Sequence, residues 1–209
     1  MNKTIITIII GIIVGITACS PDHHAYFLPK HRVPKTLKEK MTVFTGDSNT
    51  YAIDNLPGWN LAWPGNRIED ITAQAPALQQ FHPWILVVMI GSNDANDSLS
   101  DTEFRDQYRD MMDALEGSAL QVIYVSMPPV ALGVCLEVDG VTKCRDNTDL
   151  IRLNRVIAEL CAERGQFFYD IYHLFLDDDY FRADKTHFSK AGQNRYIEAM
   201  SWLGLVCED

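Results

Sequence analysis

The feature that most constrains the fold is an uninterrupted apolar run, Ile85 to Ile90, with the sequence ILVVMI. A run without polar alternation is typical of a strand in a parallel sheet, because both faces of such a sheet are covered. Other strands are predicted at Met41 to Thr45, Val122 to Ser126 and Phe167 to Ile171, and a less regular one near Asn60 to Trp63.

Amphipathic helical patterns separate these strands. Helices are predicted at about Arg67 to Gln80, Asp101 to Leu115 with Ser100 as its cap, Thr148 to Arg164, and Ser189 to Leu203. The βαβα order predicts one domain with a three-layer α/β/α sandwich and a doubly wound parallel sheet. Ligands of such folds bind at the carboxyl ends of the strands.

The first residues have a different composition. Lys3 precedes an apolar run from Ile5 to Ile16, which is followed by the small residues Thr17 and Ala18. The run is shorter than the roughly 20 residues of a membrane-spanning helix and is typical of a signal peptide, with an uncleaved single-span anchor as the alternative.

The motif ITAC, ending at Cys19, resembles the bacterial lipobox. The resemblance implies a lipoprotein signal peptide over residues 1–18 and a lipid on Cys19. Ser20, at the position after the cysteine, implies transport to the periplasmic face of the outer membrane. Residues 19–40 are then a tether and residues 41–209 the folded domain. The tether has a basic cluster that either contacts anionic lipid or is simply solvated: Lys30, Arg32, Lys35, Lys38 and Lys40.

Export into an oxidising compartment makes the other cysteines candidates for disulfides. The chain has five cysteines, and without Cys19 three pairings of the rest are possible. We favour Cys135 with Cys144, because the segment LEVDGVTK between them is typical of a hairpin that turns at Asp139-Gly140. Cys161 and Cys207 then form a second pair, or remain free buried thiols.

The net charge and the absence of common metal-binding motifs argue against two kinds of ligand, nucleic acids and metal ions. The net charge of -10 disfavours nucleic acid, since phosphate backbones are bound by basic surfaces. The chain contains neither CxxC nor HExxH spacing, so no metal site is predicted, and no cofactor is implied.

Residues able to carry out acyl transfer follow the predicted strands. Ser48 follows the first strand, Gly65 the second and Asn93 the third, while Asp184 and His187 precede the last helix. A serine hydroxyl becomes a nucleophile when an imidazole held by a carboxylate removes its proton, and the DKTH spacing allows Asp184 and His187 to do so. The backbone N–H groups of Ser48 and Gly65 and the Asn93 amide are candidate donors to an oxyanion.

Four blocks now resemble, in order, those of the SGNH (GDSL) hydrolase family. They are GDS at 46–48, Gly65 inside NLAWPGN, GSND at 91–94 and DKTHFSKAG at 184–192, and the resemblance extends from Met41 to Trp202. It implies a flavodoxin-like sandwich, with Ser48 as nucleophile, Gly65 and Asn93 as oxyanion donors, and Asp184 and His187 as acid and base.

Some residues depart from that pattern or allow another interpretation. Asn49 stands where an aliphatic residue is common, and we expect it to alter the wall of the acyl pocket. GDSNT lacks the glycine that a GxSxG elbow places two residues after its serine. Alternatives are that Ser48 caps a helix and that Asn93 only forms a turn. His173, Trp59 and Trp63 are either rim and ligand contacts or structural residues.

The sequence therefore predicts a lipid-anchored serine esterase that needs no cofactor. Expected substrates are carboxylic esters, including acetyl groups on envelope glycans and acyl chains on lysophospholipids. The alternatives are an acyltransferase with the same triad, which differs in whether water reaches the acyl-enzyme, and a noncatalytic envelope-binding lipoprotein.

Overall fold

A computed structural model describes residues 41–97, 99–131, 135–138, 141–144 and 147–203. These residues form seven strands: β1 (Thr42–Gly46), β2 (Trp59–Asn60), β3 (Ile85–Met89), β4 (Gln121–Val125), β5 (Cys135–Val138), β6 (Val141–Cys144) and β7 (Phe167–Tyr169). Five of the strands form one sheet in the order β2-β1-β3-β4-β7, and every neighbouring pair in it is parallel. The predicted doubly wound α/β fold is confirmed.

The described residues also form five α-helices: α1 (Ser48–Tyr51), α2 (Ile68–Phe81), α3 (Asp101–Ala114), α4 (Asn147–Arg164) and α5 (Lys190–Trp202). The long helices begin and end within about two residues of the predicted positions, as is usual for helix ends. Ser100 caps α3 as expected. Its hydroxyl accepts a hydrogen bond from Glu103 N, and the Glu103 carboxylate accepts one from Ser100 N, which is a capping box.

Two apolar clusters cover the two faces of the sheet and explain the unbroken apolar run. Leu86 and Val88 of β3 pack into one cluster with α2, α3 and α4. Val87 and Met89 point to the other face and pack in a second cluster with α5 and the loops around it. Because successive side chains of a strand alternate between faces, a strand buried on both sides is apolar at every position.

The second strand is shorter than predicted. It ends at Asn60, although Leu61 N still donates to Phe44 O at 2.8 Å and Trp63 N to Gly46 O at 3.1 Å. The Asn60 side chain leaves the sheet pattern and bonds to Thr50 O and to Ala62 N. The chain beyond Asn60 thus stays beside β1 and reaches the carboxyl edge.

The hairpin predicted between two cysteines is present as β5 and β6. Cys135 lies directly opposite Cys144 in antiparallel register. The predicted turn at Asp139-Gly140 lies outside the described residues, as do Cys19 and the whole of residues 1–40. Cys161 is buried in α4 and is free within the described part of the chain. Cys207 lies outside that part, so its pairing with Cys161 stays a prediction.

We expect Cys135 and Cys144 to form a disulfide. Directly opposed antiparallel residues have Cα atoms about 4.5 to 5.5 Å apart, within the range of about 4.4 to 6.8 Å that disulfides span. Peptide mapping of unreduced protein should recover the two cysteines in one linked fragment. Alkylation of both thiols without prior reduction would contradict this pairing.

None of the described helices is both long enough and apolar enough to span a lipid bilayer.

Candidate active site

The loop that carries Ser48 is fixed by its neighbours on both sides. Gly46 ends β1 with a φ of +156°, and a Cβ there would lie 2.2 Å from the Met89 carbonyl oxygen of β3, so a side chain does not fit. Asp47 is the N-cap of α1, because its carboxylate accepts a hydrogen bond from Asn49 N at 2.9 Å. The alternative that Ser48 caps this helix is therefore wrong, and its hydroxyl does not serve as the cap.

The Ser48 hydroxyl instead meets a histidine from a distant part of the chain. Ser48 Oγ lies 2.9 Å from His187 Nε2, and His187 Nδ1 lies 3.0 Å from Asp184 Oδ2. When Ser48 donates to Nε2, the ring proton is on Nδ1 and is donated to the carboxylate. This is the hydrogen-bonded order that activates a serine hydroxyl.

The Asp184 carboxylate has a second function, since it also folds the turn that carries the histidine. Its Oδ1 accepts hydrogen bonds from Thr186 N and His187 N, both at 2.9 Å, and from Thr186 Oγ1 at 3.1 Å. Lys185, between them, has a left-handed φ of +60°. Both oxygens of Asp184 are therefore engaged, one in the turn and one with the imidazole ring.

These hydrogen bonds set the charge state of Asp184. Its partial burial favours the neutral form, but the N–H groups of His187 and Thr186 and the His187 ring outweigh that effect and hold the pKa of Asp184 well below its usual range. The side chains of His187 and Asp184 remain 37% and 45% exposed, so a substrate and water can reach the ring from solvent.

Asn49 ties the serine helix to the histidine turn. It is 3% exposed, and its Oδ1 accepts a hydrogen bond from Phe188 N at 3.2 Å. Phe188 directly follows the histidine and stacks on Phe175 with ring centroids 4.7 Å apart. The expectation that Asn49 alters the wall of an acyl pocket is replaced by a different role, because its side chain is buried against the backbone of the turn.

We predict that Asn49→Leu lowers kcat about tenfold, because loss of the acceptor frees the His187 turn and leaves a buried N–H without a partner, at a cost of about 1 to 3 kcal/mol. The assays are ester hydrolysis well below the unfolding midpoint and thermal unfolding of the same sample. A lower midpoint with unchanged kcat would show that Asn49 only stabilises the fold.

Hydrogen bonds join the Gly65 turn to the end of β1 and to the Asn93 loop. Asn66 N donates to Trp63 O at 3.2 Å, and Gly65 within this turn has a left-handed φ of +85°, which favours glycine. Asn93 Nδ2 donates to Asn66 O at 2.8 Å. A carboxamide nitrogen has two N–H donors, so this bond fixes the plane of the amide and leaves a second donor for a ligand.

Asn66 is a residue of this site that sequence reasoning missed. It is buried, and its Nδ2 donates to Gly46 O at 3.0 Å, while its own carbonyl holds Asn93. Asp94 adds a further link, since its carboxylate accepts from Ile68 N at 3.3 Å. Asn66 thus connects the loops of Ser48, Gly65 and Asn93. The polar residue after Gly65 is the only sequence signal for this role.

The other candidate residues lie apart from these hydrogen bonds. His173 follows β7, which β3 and β4 separate from β1, and its Nδ1 lies 3.9 Å from Asp170 Oδ2. Trp59 packs edge-on against Phe81 at 6.3 Å beside the first cluster and is structural. Trp63 packs edge-on against Tyr51, with ring centroids 5.7 Å apart. Tyr51 lies about one helical turn after Ser48. Within the described ranges, no group of three or more His, Cys, Asp or Glu side chains is arranged to hold a metal ion.

Comparison with known proteins agrees with the fold. The sequence pattern of the GDSL-like lipase/acylhydrolase family matches residues 16–195. No curated protein matches the chain in sequence. Among solved structures, a GDSL-like lipase from Bacteroides thetaiotaomicron is 16% identical with a TM-score of 0.67, over 82% of this chain and 91% of that one.

Two further structures are similar at the level of the fold. A lipase/acylhydrolase from Enterococcus faecalis is 19% identical with a TM-score of 0.61, over 80% of this chain and 98% of that one. An acetylxylan esterase from Geobacillus stearothermophilus, solved as a catalytic mutant, is 18% identical with a TM-score of 0.61, over 84% of this chain and 97% of that one.

Proposed function

This chain belongs to the GDSL-like lipase/acylhydrolase family, and on that basis we propose that it is a serine esterase that hydrolyses carboxylic esters through Ser48, His187 and Asp184. The observation that carries the proposal is the unbroken series of hydrogen bonds from Ser48 Oγ through the imidazole to the Asp184 carboxylate. A binding protein has no need of this arrangement, which disfavours a noncatalytic role.

The mechanism has two half-reactions. Ser48 Oγ attacks the acyl carbon while its proton moves to His187 Nε2, and the protonated ring then gives that proton to the departing alcohol. Water next attacks the Ser48 ester, gives a proton to Nε2, and releases the carboxylic acid when the proton returns to Ser48 Oγ. Asp184 remains ionised throughout, since its pKa lies well below the usual range, and it stabilises the imidazolium.

The negative oxygen formed in each half-reaction needs donors that are already in place. We assign this role to the N–H groups of Ser48 and Gly65 and to the second N–H of the Asn93 amide. The bond from Asn93 to Asn66 O supports the assignment, because an amide fixed before the reaction needs no reorganisation in the transition state.

We expect Asn93→Ala to lower kcat by about 10² to 10³ with little change in KM, because an oxyanion donor acts in the transition state more than in the ground state. The nearby Asn96→Ala is the matched control and should retain activity. Equal losses in both variants would indicate damage to the loop and would count against the role of Asn93.

We propose a substrate class narrower than the carboxylic esters hydrolysed by the family as a whole. Tyr51 and Trp63 form a half-buried aromatic pair beside Ser48, and such surfaces stack on sugar rings as well as on acyl groups. The similar structure from Geobacillus is an acetylxylan esterase. Acetyl esters on envelope glycans are therefore our first proposal, with acyl chains on lysophospholipids as the second.

The deciding experiment is hydrolysis of p-nitrophenyl esters from acetate to palmitate by the purified full chain. Activity restricted to short chains supports a deacetylase, and activity on long chains supports a lipase-like enzyme. Inactivity on all of them from a folded protein would contradict hydrolysis. Transfer of the acyl group to an added alcohol in place of water would support the acyltransferase.

Location is also a proposal. The lipobox-like motif at Cys19, after an apolar segment over residues 1–18, supports a lipid anchor at the periplasmic face of the outer membrane, with residues 19–40 as the tether to the domain. Mass spectrometry of the N-terminal peptide tests it, because lipidation and cleavage leave a diacylated Cys19 as the first residue.

A further inference from the structure

The edge of the sheet farthest from Ser48 carries an exposed apolar row. Met41, Trp84, Leu120 and Phe167 stand at the amino ends of β1, β3, β4 and β7, which are consecutive neighbours in the sheet. Three of these side chains are strongly exposed, with 46% for Trp84, 83% for Leu120 and 48% for Phe167. The backbone bonds Trp84 N to Met41 O at 2.8 Å and Gln121 N to Trp84 O at 2.9 Å keep the first three positions side by side.

The end of α5 adds a second tryptophan at this edge. The helix begins after the Ser189 cap, just past His187 at the site, and runs back along the sheet. Its 13 residues span about 20 Å at 1.5 Å per residue, and from this length and direction we infer that Trp202, which is 79% exposed, lies toward the amino edge. We call Met41, Trp84, Leu120, Phe167 and Trp202 the apolar edge.

The apolar edge contains most of the strongly exposed large apolar side chains of the described residues. The described residues include six large apolar side chains that are strongly exposed, and four of them lie here, the other two being Ile151 and Leu176. Single exposed apolar residues are ordinary, but a group of them on one face marks an interaction surface. Tryptophan in particular is enriched where a protein meets the boundary between lipid and water.

The preceding sequence indicates what covers the apolar edge. Residues 1–40 enter the fold at Met41, whose carbonyl accepts hydrogen bonds from both Trp84 N and Ile85 N. The residues before Met41 include the basic cluster that ends at Lys40, and Cys19 with its lipobox-like motif lies farther upstream. Basic clusters and exposed tryptophans are both features of proteins that bind anionic lipid surfaces.

We propose that the apolar edge docks on the surface of the bilayer that anchors the chain, with Trp84 and Trp202 at the level of the lipid head groups. The inference rests on the anchoring part of the proposed function. Residues 19–40 number 22 and can reach no more than about 77 Å at about 3.5 Å per residue, so a lipid on Cys19 would hold the domain near the bilayer, where a weak affinity for lipid is sufficient.

Docking in this orientation determines which esters can reach Ser48. The apolar edge and Ser48 lie at opposite ends of β1, whose 5 residues span about 17 Å at 3.3 Å per residue. The site therefore opens away from the anchoring bilayer, toward the aqueous side. Esters on glycans or other water-exposed molecules reach Ser48, while acyl esters within the anchoring bilayer do not.

Fluorescence quenching tests the docking. The full chain, purified from the membranes of cells that produce it, is placed in vesicles of phosphatidylethanolamine and phosphatidylglycerol with brominated acyl chains, which quench tryptophan only at short range. We expect quenching in the wild type, loss of most of it in Trp84→Phe combined with Trp202→Phe, and no change in Trp63→Phe, whose tryptophan lies at the site. Quenching that is absent, or that the double variant retains, would overturn the inference.

The same samples distinguish the docking inference from the proposed lipid anchor and the proposed esterase activity. Flotation of the vesicles reports the anchor, and hydrolysis of p-nitrophenyl acetate reports the esterase. A chain that floats and hydrolyses the ester but shows no quenching refutes the docking alone. Concentration-dependent crosslinking through the apolar edge in that case would assign the surface to a second copy of the chain. A chain that does not float refutes the anchor and the docking together, whatever its activity.

Discussion

Replacement of Ser48 by alanine is expected to lower kcat for ester hydrolysis by about 10⁴-fold or more, because no other group supplies the attacking oxygen. The change removes one oxygen atom and its bond to His187 Nε2, and it leaves the Asp47 cap and the N–H group of residue 48 in place. The fold and the oxyanion donors should therefore persist, and circular dichroism and thermal unfolding should match those of the wild type.

Two other serines serve as controls for this result. Ser201 donates to Glu198 O on the surface of α5, so Ser201→Ala should keep full activity. Ser126 is fully buried, donates to Asp170 Oδ1, and accepts from Ile171 N and Tyr172 N, so Ser126→Ala should lower stability while the remaining folded protein keeps its activity. A Ser48→Ala protein with wild-type kcat would refute Ser48 as the nucleophile.

The fold was predictable because its signals are local or repeat along the chain. The uniform burial of β3 appears as the unbroken ILVVMI run, and the Ser100 capping box marks the start of α3 within four residues. The parallel, doubly wound character of the sheet follows from the βαβα alternation and the family resemblance. Strand β2 was placed less well, because only two residues pair regularly before the Asn60 side chain diverts the hydrogen bonds.

The hydrogen-bonded series from Ser48 through His187 to Asp184 was predictable from the sequence, whereas the contacts that hold these residues in position were not. Ser48 and His187 are 139 positions apart, yet both follow strand ends, and the topology alone brings such positions to one edge. The roles of Asn49 and Asn66 depend on hydrogen bonds to the backbone of Phe188 and Gly46, which no spacing in the sequence reveals. Asp47 took the capping role that a sequence pattern assigns equally well to Ser48.

Asp184 illustrates how one residue serves both the local turn and the chemistry. Its Oδ1 accepts from the N–H groups of Thr186 and His187, so truncation to alanine would change the position of the histidine as well as its electrostatics. Asparagine retains an oxygen of the same size for those N–H groups. Asp184→Asn therefore isolates the contribution of the charge from that of the turn.

We expect Asp184→Asn to lower kcat by about 10³ to 10⁴ while the turn remains folded. The amide nitrogen then faces His187 Nδ1 and donates to it, which places the ring proton on Nε2. A protonated Nε2 cannot accept the proton of Ser48 Oγ, so the base is lost although the histidine stays in position. The exposed Asp178→Asn is the matched control and should retain activity.

We also expect the free energies of unfolding of the wild type and Asp184→Asn to depend differently on pH. Because the folded-state pKa of Asp184 is depressed, the carboxylate stabilises the fold fully above the unfolded-state pKa of about 3.9, and this contribution is lost as the pH falls from there through the folded-state value. The difference in free energy of unfolding between wild type and Asp184→Asn should thus shrink as the pH falls below about 4. Urea unfolding of both proteins across this range measures it. A difference that grows as the pH falls below about 4 would mean that Asp184 is destabilised as a carboxylate, which would contradict its assigned role as the ionised partner of His187.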